Sequence, residues 1–437
     1  MKKTGSWLSL AGLSAFLLVA TFPLYAEAEE DSSGDSYEWV SDGETGEYPD
    51  DEGYSDGEYE DESYDDEYYS DMEETDPTFD LVRNGTLADI KKGFTEKRDS
   101  DGNTLLMIAC QSGRDRDIVA YLVETGIDVN GRNNYGETAL MFACAASPDT
   151  TVAEYLLKRG AAVNAASDDG MTPLMYAATN ANQTILKWLL SKGADVKARD
   201  DSRQSVLFYA CGNEAVTAET LSILLKAGLD LNETNTSGRT AFMAAVSSIP
   251  SAELVGSLLK AGAKVNVVDE YGSTPLMFAA SDSDDPAVLE LLLKSGATVN
   301  VADDSDMTPL MYAVYNEAAP VIVPILLKAG AKARVTAKDG TNPLILACWY
   351  GRMALVPLLI AQGIPVDAID EEGKTALIHA CESADSPDAI VALLDARADI
   401  TPVDEAGKTA FDYASENAYL GEDEELLSRL KGALRTM

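Results

Sequence analysis

Five cysteines and one histidine are the side chains of this sequence best suited to nucleophilic or metal-binding chemistry near neutral pH. Cys110, Cys144, Cys211, Cys348 and Cys381 each follow an alanine directly, and they recur at one position of a unit about 34 residues long. A residue repeated in that way reads as packing. If helices stack at ordinary interaxial distances, the neighbouring pairs Cys110 with Cys144 and Cys348 with Cys381 stand about 8 to 10 Å apart, too far for a disulfide. His379 is two residues from Cys381, and residues two apart on a helix do not face each other, so a Cys/His dyad is disfavoured. A single histidine also removes the metal motifs that need two. No catalytic residue, no metal and no cofactor is expected.

Charge narrows the partner. The 437 residues carry 74 Asp and Glu against 33 Lys and Arg, a formal charge of -41, which opposes a phosphate-binding surface and therefore nucleic acid. With 46% apolar residues the chain can bury a sizeable core. Paired carboxylates working as acid and base remain the one enzymatic reading that composition leaves open, that of a secreted effector or hydrolase.

The elements that must position any site begin after an address and a tail. Lys2 and Lys3 precede an apolar run from Trp7 to Phe22, then Pro23 and the small-residue pattern Ala26-Glu27-Ala28. This reads as a bacterial-type Sec signal peptide over residues 1–28, cut after Ala26 or Ala28. A retained anchor needs about 20 apolar residues, and this run is interrupted by Ser9, Gly12, Ser14 and Thr21. Export to the periplasm or beyond the cell is expected, with no membrane span after cleavage. Residues 29–75 read as a disordered acidic segment: from Glu27 to Asp80 there are 25 Asp and Glu, seven tyrosines and no Lys or Arg. Such a stretch has no apolar pattern to offset the entropy of ordering. Its role is open between a solubilising spacer, a calcium buffer and a mimic of an acidic ligand.

Beyond Pro77 the chain repeats. Thr104, Thr138, Thr172, Thr274, Thr308 and Thr375 are each followed five residues later by alanine, and with Ser205, Thr240, Asn342 and Thr409 they mark ten copies at a period of 33 to 35 residues. Thr, Ser or Asn at this point is a helix N-cap, and Pro173, Pro275, Pro309 and Pro343 follow at the first helical position. A second apolar segment closes at Gly126, Gly160, Gly193, Gly228, Gly262, Gly296, Gly330 or Gly363, as a left-handed C-cap would. From each closing residue to the next cap the distance is 12 residues in all nine intervals, whereas from cap to closing residue it varies from 21 to 23. The connection between repeats is therefore geometrically fixed, and the loop between the two helices absorbs insertions.

Asp169-Gly170-Met171-Thr172-Pro173-Leu174-Met175-Tyr176-Ala177, followed by Leu189-Leu190-Ser191-Lys192-Gly193-Ala194-Asp195-Val196, resembles an ankyrin repeat. The resemblance implies an all-α repeat solenoid of about ten helix-turn-helix units with hairpin loops to one side, and protein binding rather than catalysis. It covers residues 99–437, behind a degenerate capping repeat at 76–98, and the apolar face of Leu426, Leu427, Leu430 and Leu434 is expected to cap the far end. Where the family favours His after Thr-Pro-Leu, this chain has Met107, Met141, Met175, Met243, Met277 and Met311, which reads as an apolar filler. Glycine is missing at Arg203, Asp306 and Arg397, where strained or looser junctions are expected.

Seven and eight residues after the cap, the first helix is expected to turn toward the concave face. Most copies are small or polar there, including Asn180 and Ser248, but Tyr315, Asn316, Trp349 and Tyr350 form an aromatic cluster of hot-spot composition. Along the hairpin tips Asp200, Asp201, Asp269, Glu270, Asp303, Asp304, Asp370, Glu371 and Glu372 add an acidic rim. The expected site is therefore Tyr315, Asn316, Trp349 and Tyr350 with Asp303, Asp304, Glu371 and Glu372. The expected ligand is a protein with a basic or amphipathic surface, bound by a monomer.

Overall fold

Each repeat opens where an extended residue turns into a helix. Thr104, Thr274 and Thr375 accept a hydrogen bond from the backbone N–H three residues on, and Asn342 accepts two, from Leu344 and Ile345 at 2.9 Å. The methionine at that third position does more than fill space. The Sδ atoms of Met107, Met141 and Met277 lie 3.3 to 3.4 Å from the backbone nitrogens of Thr104, Thr138 and Thr274 and accept weakly from them. The sequence reading of these methionines as filler alone is corrected in this respect, although their side chains are buried as expected.

The computed structural model describes residues 77–432, apart from 94, 249, 250 and 284. The leader and acidic segment read from the sequence, and Leu434, lie outside the described residues. Within them the first helices run from Leu105–Gln111 to Ala410–Glu416, each followed by a second helix or by a short 3-10 turn and helix, as at Met353–Leu355 and Val356–Ala361. Pro77–Asn84 and Leu87–Gly93 precede the first full repeat, and Glu424–Gly432 follows the last with Leu426 and Leu430 buried. Only isolated β-bridges occur, so the described chain is an all-α solenoid.

The first helices form its spine. Each packs on the first helix of the next repeat without a break from Leu105–Gln111 to Ala410–Glu416. They are apolar all round because neighbours surround them: every residue from Leu105 to Cys110, and from Leu344 to Cys348, is essentially inaccessible. Burying one such leucine contributes about 1.5 to 3 kcal/mol. Second helices bury one stripe only, such as Ile118, Val119 and Leu122 in Arg116–Glu124.

Hairpins join the units through backbone. The N–H four residues before each cap donates to the carbonyl three residues before the previous cap, from Asn134 on Asp101 to Glu405 on Glu372, nine bonds of 2.8 to 3.1 Å. The residue between this ladder and the cap must turn left-handed: Gly340 has φ 82°, and a Cβ there would meet the Ile369 carbonyl at 2.6 Å. Arg203 and Asp306 take the same turn at φ 62° and 61°, and Arg397 closes its helix at 65°, the strain expected of side chains in that region. A second line of bridges uses Asn266 and Asn300, whose amides donate to the Gly296 and Gly330 carbonyls at 2.9 and 3.0 Å.

All five thiols are buried and free, and burial pushes them up, Cys211 and Cys381 to about 12. The native chain is expected to be inert to Ellman's reagent at pH 8 and to release five equivalents once unfolded in denaturant. Reaction in the folded state, or fewer than five equivalents without reductant, contradicts this packing.

Candidate functional site

The acidic rim divides into two rows with different work. The residue five before the cap turns inward: Asp200, Asp269, Asp303 and Asp370 are all below 10% exposed. Asp303 Oδ1 accepts the backbone N–H groups of Ser305 and Met307 at 2.9 Å, and Oδ2 accepts the Tyr312 hydroxyl at 2.5 Å. Asp370 repeats this with the N–H groups of Glu372 and Lys374, and with His379 Nε2 at 2.6 Å. These carboxylates organise the turn and pin it to its own first helix. Asp303 is therefore not available to a partner, which corrects its expected place in the site. The next residue along faces out: Asp201, Glu270, Asp304 and Glu371 are exposed. Glu372 is half-buried and paired with Lys374 at 3.2 Å.

Asn316 is also corrected. It is 4% exposed, and its amide donates to the Ala280 and Ser283 carbonyls of the previous repeat at 3.2 and 3.0 Å, while its oxygen accepts from the Ala318 N–H at 2.7 Å. Asn180 makes the same bonds to Cys144 and Ser147, both at 3.0 Å. Eight residues after the cap, asparagine is a clamp between repeats. It satisfies the carbonyls that the end of a helix leaves unpaired.

Tyr350 occupies this position in the eighth repeat and makes no such clamp. Arg352, two residues later, reaches back instead and donates to the Tyr315 carbonyl at 3.0 Å. The rings at the end of Pro343–Trp349 emerge: Trp349 is 43% and Tyr350 41% exposed, with Tyr315 half-buried behind them. Tyr315 meets Tyr350 edge-on with centroids 4.6 Å apart, Trp349 is tilted on Tyr350 at 5.6 Å, and Trp349 stacks over buried His379 at 5.3 Å and 17°. Burial first, then Tyr350 and the Asp339 carboxylate, push the Tyr315 hydroxyl up. Tyr350 is pushed up by burial and Asp339 against the hydrogen bond it shares with Tyr315. Both phenols are neutral at physiological pH.

At the registers these rings occupy, the carboxylates of other repeats are engaged. Asp282 accepts the hydroxyls of Ser247 and Ser281 at 2.5 Å, Glu382 pairs with Lys374 at 3.0 Å, and Glu416 pairs with Lys408 at 2.7 Å. Among the described residues no three His, Cys, Asp or Glu side chains converge as a metal site.

A family model of ankyrin repeats, three copies long, matches residues 80–167, 132–200, 250–336 and 319–404, together more than half of the chain. The chain belongs to the ankyrin-repeat family. Among solved structures it resembles the human ASB11 ankyrin repeat domain at 24% identity and a TM-score of 0.44, over 52% of this chain and 97% of that one. No curated protein matches the sequence. Ankyrin repeats generally mediate protein–protein interaction.

Of the sequence-read site, the ankyrin array brings Tyr315, Trp349 and Tyr350 together and leaves Asp304 and Glu371 exposed on hairpins two repeats apart, while Asn316 and Asp303 are framework. Their recurrence was the available signal: Asn180, Asn213, Asn316 and Asn417 share one register, as do Asp200, Asp269, Asp303, Asp370 and Asp404. Asn316→Ala is expected to cost about 2 kcal/mol, because it strands two buried carbonyls and one N–H. Asp304→Ala should stay within about 0.5 kcal/mol of the parent chain. Urea unfolding checks both, and equal effects would contradict the division.

Proposed function

We propose that this chain is an exported, non-catalytic ankyrin scaffold that binds a protein partner on its concave face, with Trp349, Tyr350 and Tyr315 as anchors and Asp304 and Glu371 on the rim. One observation carries the reading: two large rings stand more than 40% exposed side by side, at a register where other repeats carry small or polar residues or a buried clamp. Nothing in the repeat itself requires them. Large rings held rigidly at the centre of a polar surface are what interface hot spots are made of. Export rests on the Lys2-Lys3 flank, the apolar run and the Ala26-Glu27-Ala28 pattern. The scaffold then acts in the periplasm or outside the cell.

The test starts with the chain recovered from the exported fraction, whose mass should place its first residue at Glu27 or Glu29. Recovery with Met1 in place counts against export. With a partner captured on this chain, a Trp349→Ala, Tyr350→Ala double change should weaken affinity by about a hundredfold or more and leave the unfolding midpoint in place. A Lys226→Ala chain, changed on the far side of the array, should bind as the parent does. Unchanged affinity in the double variant removes the anchor assignment.

A further inference from the structure

The second helices of neighbouring repeats do not close on each other everywhere. Between Ala218–Lys226 and Ala252–Lys260, in the fourth and fifth repeats, lies an open slot of about 350 Å³. Leu221 and Leu258 are its buried floor, and half-buried Leu225 is its wall. Ala218, Leu221, Ser222 and Leu225 stand at helical spacing on one face of their helix, so the slot follows that helix for about 11 Å. Lys226, the last residue of the same helix, joins the lining.

The slot has a cause in the sequence. Five residues before the closing glycine the second helices carry Tyr155, Trp188 and Ile223, then Ser257, then Leu291 and Ile325. A large side chain is missing at Ser257 alone in this run. The Ser257 hydroxyl donates to the Glu253 carbonyl of its own helix at 3.0 Å, so its proton is spent there and the slot is left apolar.

Charge changes at the same place. Lys158 and Lys294, in the last turn of their second helices, pair with Glu154 and Glu290 one turn earlier at 3.6 and 2.9 Å. In the two helices of the slot, Ser222 and Gly256 stand where those glutamates would be. Among the described residues Lys226 and Lys260 have no ion pair, and both are exposed. A chain of formal charge -41 thus presents two unpaired cations at the ends of the helices that form an apolar slot.

We infer that this slot binds a straight-chain alkyl carboxylate of about eight to ten carbons, its chain over Leu221, Leu225 and Leu258 and its carboxylate at Lys226 and Lys260. An apolar length with one anionic end matches that chemistry. A protein segment matches it less well, because backbone N–H and C=O groups laid against the leucines would lose the hydrogen bonds that water gives them. The site goes beyond the scaffold reading and does not depend on it, since the rings lie in the seventh and eighth repeats.

The test titrates the exported full chain, methyl-labelled at leucine, with octanoate and with octanol, which keeps the alkyl chain and removes the charge. NMR reads the Leu225 methyl resonances, assigned by Leu225→Ile. Octanoate is expected to shift them saturably and at least about fivefold more tightly than octanol, with the difference shrinking as salt rises. Ser257→Leu gives the slot the side chain that Leu291 supplies in the next repeat, and should weaken octanoate at least about tenfold without lowering the unfolding midpoint. Lys226→Ala should bring octanoate down to the affinity of octanol and leave octanol unchanged, which keeps the test decisive if Ser257→Leu disturbs the fold. No saturable shift at Leu225, equal affinity for the two ligands, or parental octanoate binding by a folded Ser257→Leu chain overturns the inference. The scaffold reading is judged separately, by the affinity of the chain changed at Trp349 and Tyr350 for its captured partner.

Discussion

One backbone hydrogen bond per repeat, from the residue four before a cap to the carbonyl three before the previous cap, sets the register on which the rest of this protein is built. It joins adjacent hairpins at a single point, so every residue between closing glycine and cap has a prescribed path. That is why the interval stays at 12 residues in all nine junctions. The inward carboxylate one residue before the ladder donor folds the turn on itself, and the left-handed residue after it brings the chain back to the cap. Arg203 and Asp306 show how strong the constraint is, since both take a conformation unfavourable for a residue with a Cβ.

With the hairpins registered, the first helices lie side by side and are buried along almost their whole length. Such a helix has no free face to carry function. Its last turn is what emerges, together with the outward residue of each hairpin tip. Positions open to variation are therefore few and repeat along the groove, and a residue there is informative only when it departs from what the framework uses at that register. The length changes of 21 to 23 residues between cap and closing glycine fall in the loop after the first helix, where no ladder bond restricts them.

This also explains what could be read from the sequence. Caps, closing glycines, the buried first helix and the position of Trp349 and Tyr350 follow from residue type and spacing, because each depends on local backbone preference or on periodicity. The roles of Asp303 and Asn316 do not. Asp and Asn look the same on a solvated rim as in a buried turn, and the difference lies in partners that come from backbone: Met307 N–H for Asp303, and Ala280 O, 36 residues away, for Asn316. Recurrence at one register was the only trace those contacts left in the sequence. His379 stands at the register where other repeats carry Tyr176, Tyr209 and Tyr312, and its bond to Asp370 mirrors that of Tyr312 to Asp303.

The exposed rings sit in the eighth repeat because the clamp moved there. At the register of Tyr350, Asn180 and Asn316 are committed to the carbonyls of the previous repeat, and a ring in their place would leave such groups unpaired. Arg352 carries that duty from two residues further on, donating to the Tyr315 carbonyl, which frees the earlier position for a side chain that points out. Arg114 does the same at the start of the array, reaching the Gly85 carbonyl while Ser112 stands at the clamp register. There the freed position holds a small residue and no ring cluster forms. Release of the clamp is thus necessary for an exposed anchor but does not produce one, and the aromatic residues of repeats seven and eight need a cause outside the framework, which is the place of the proposed partner.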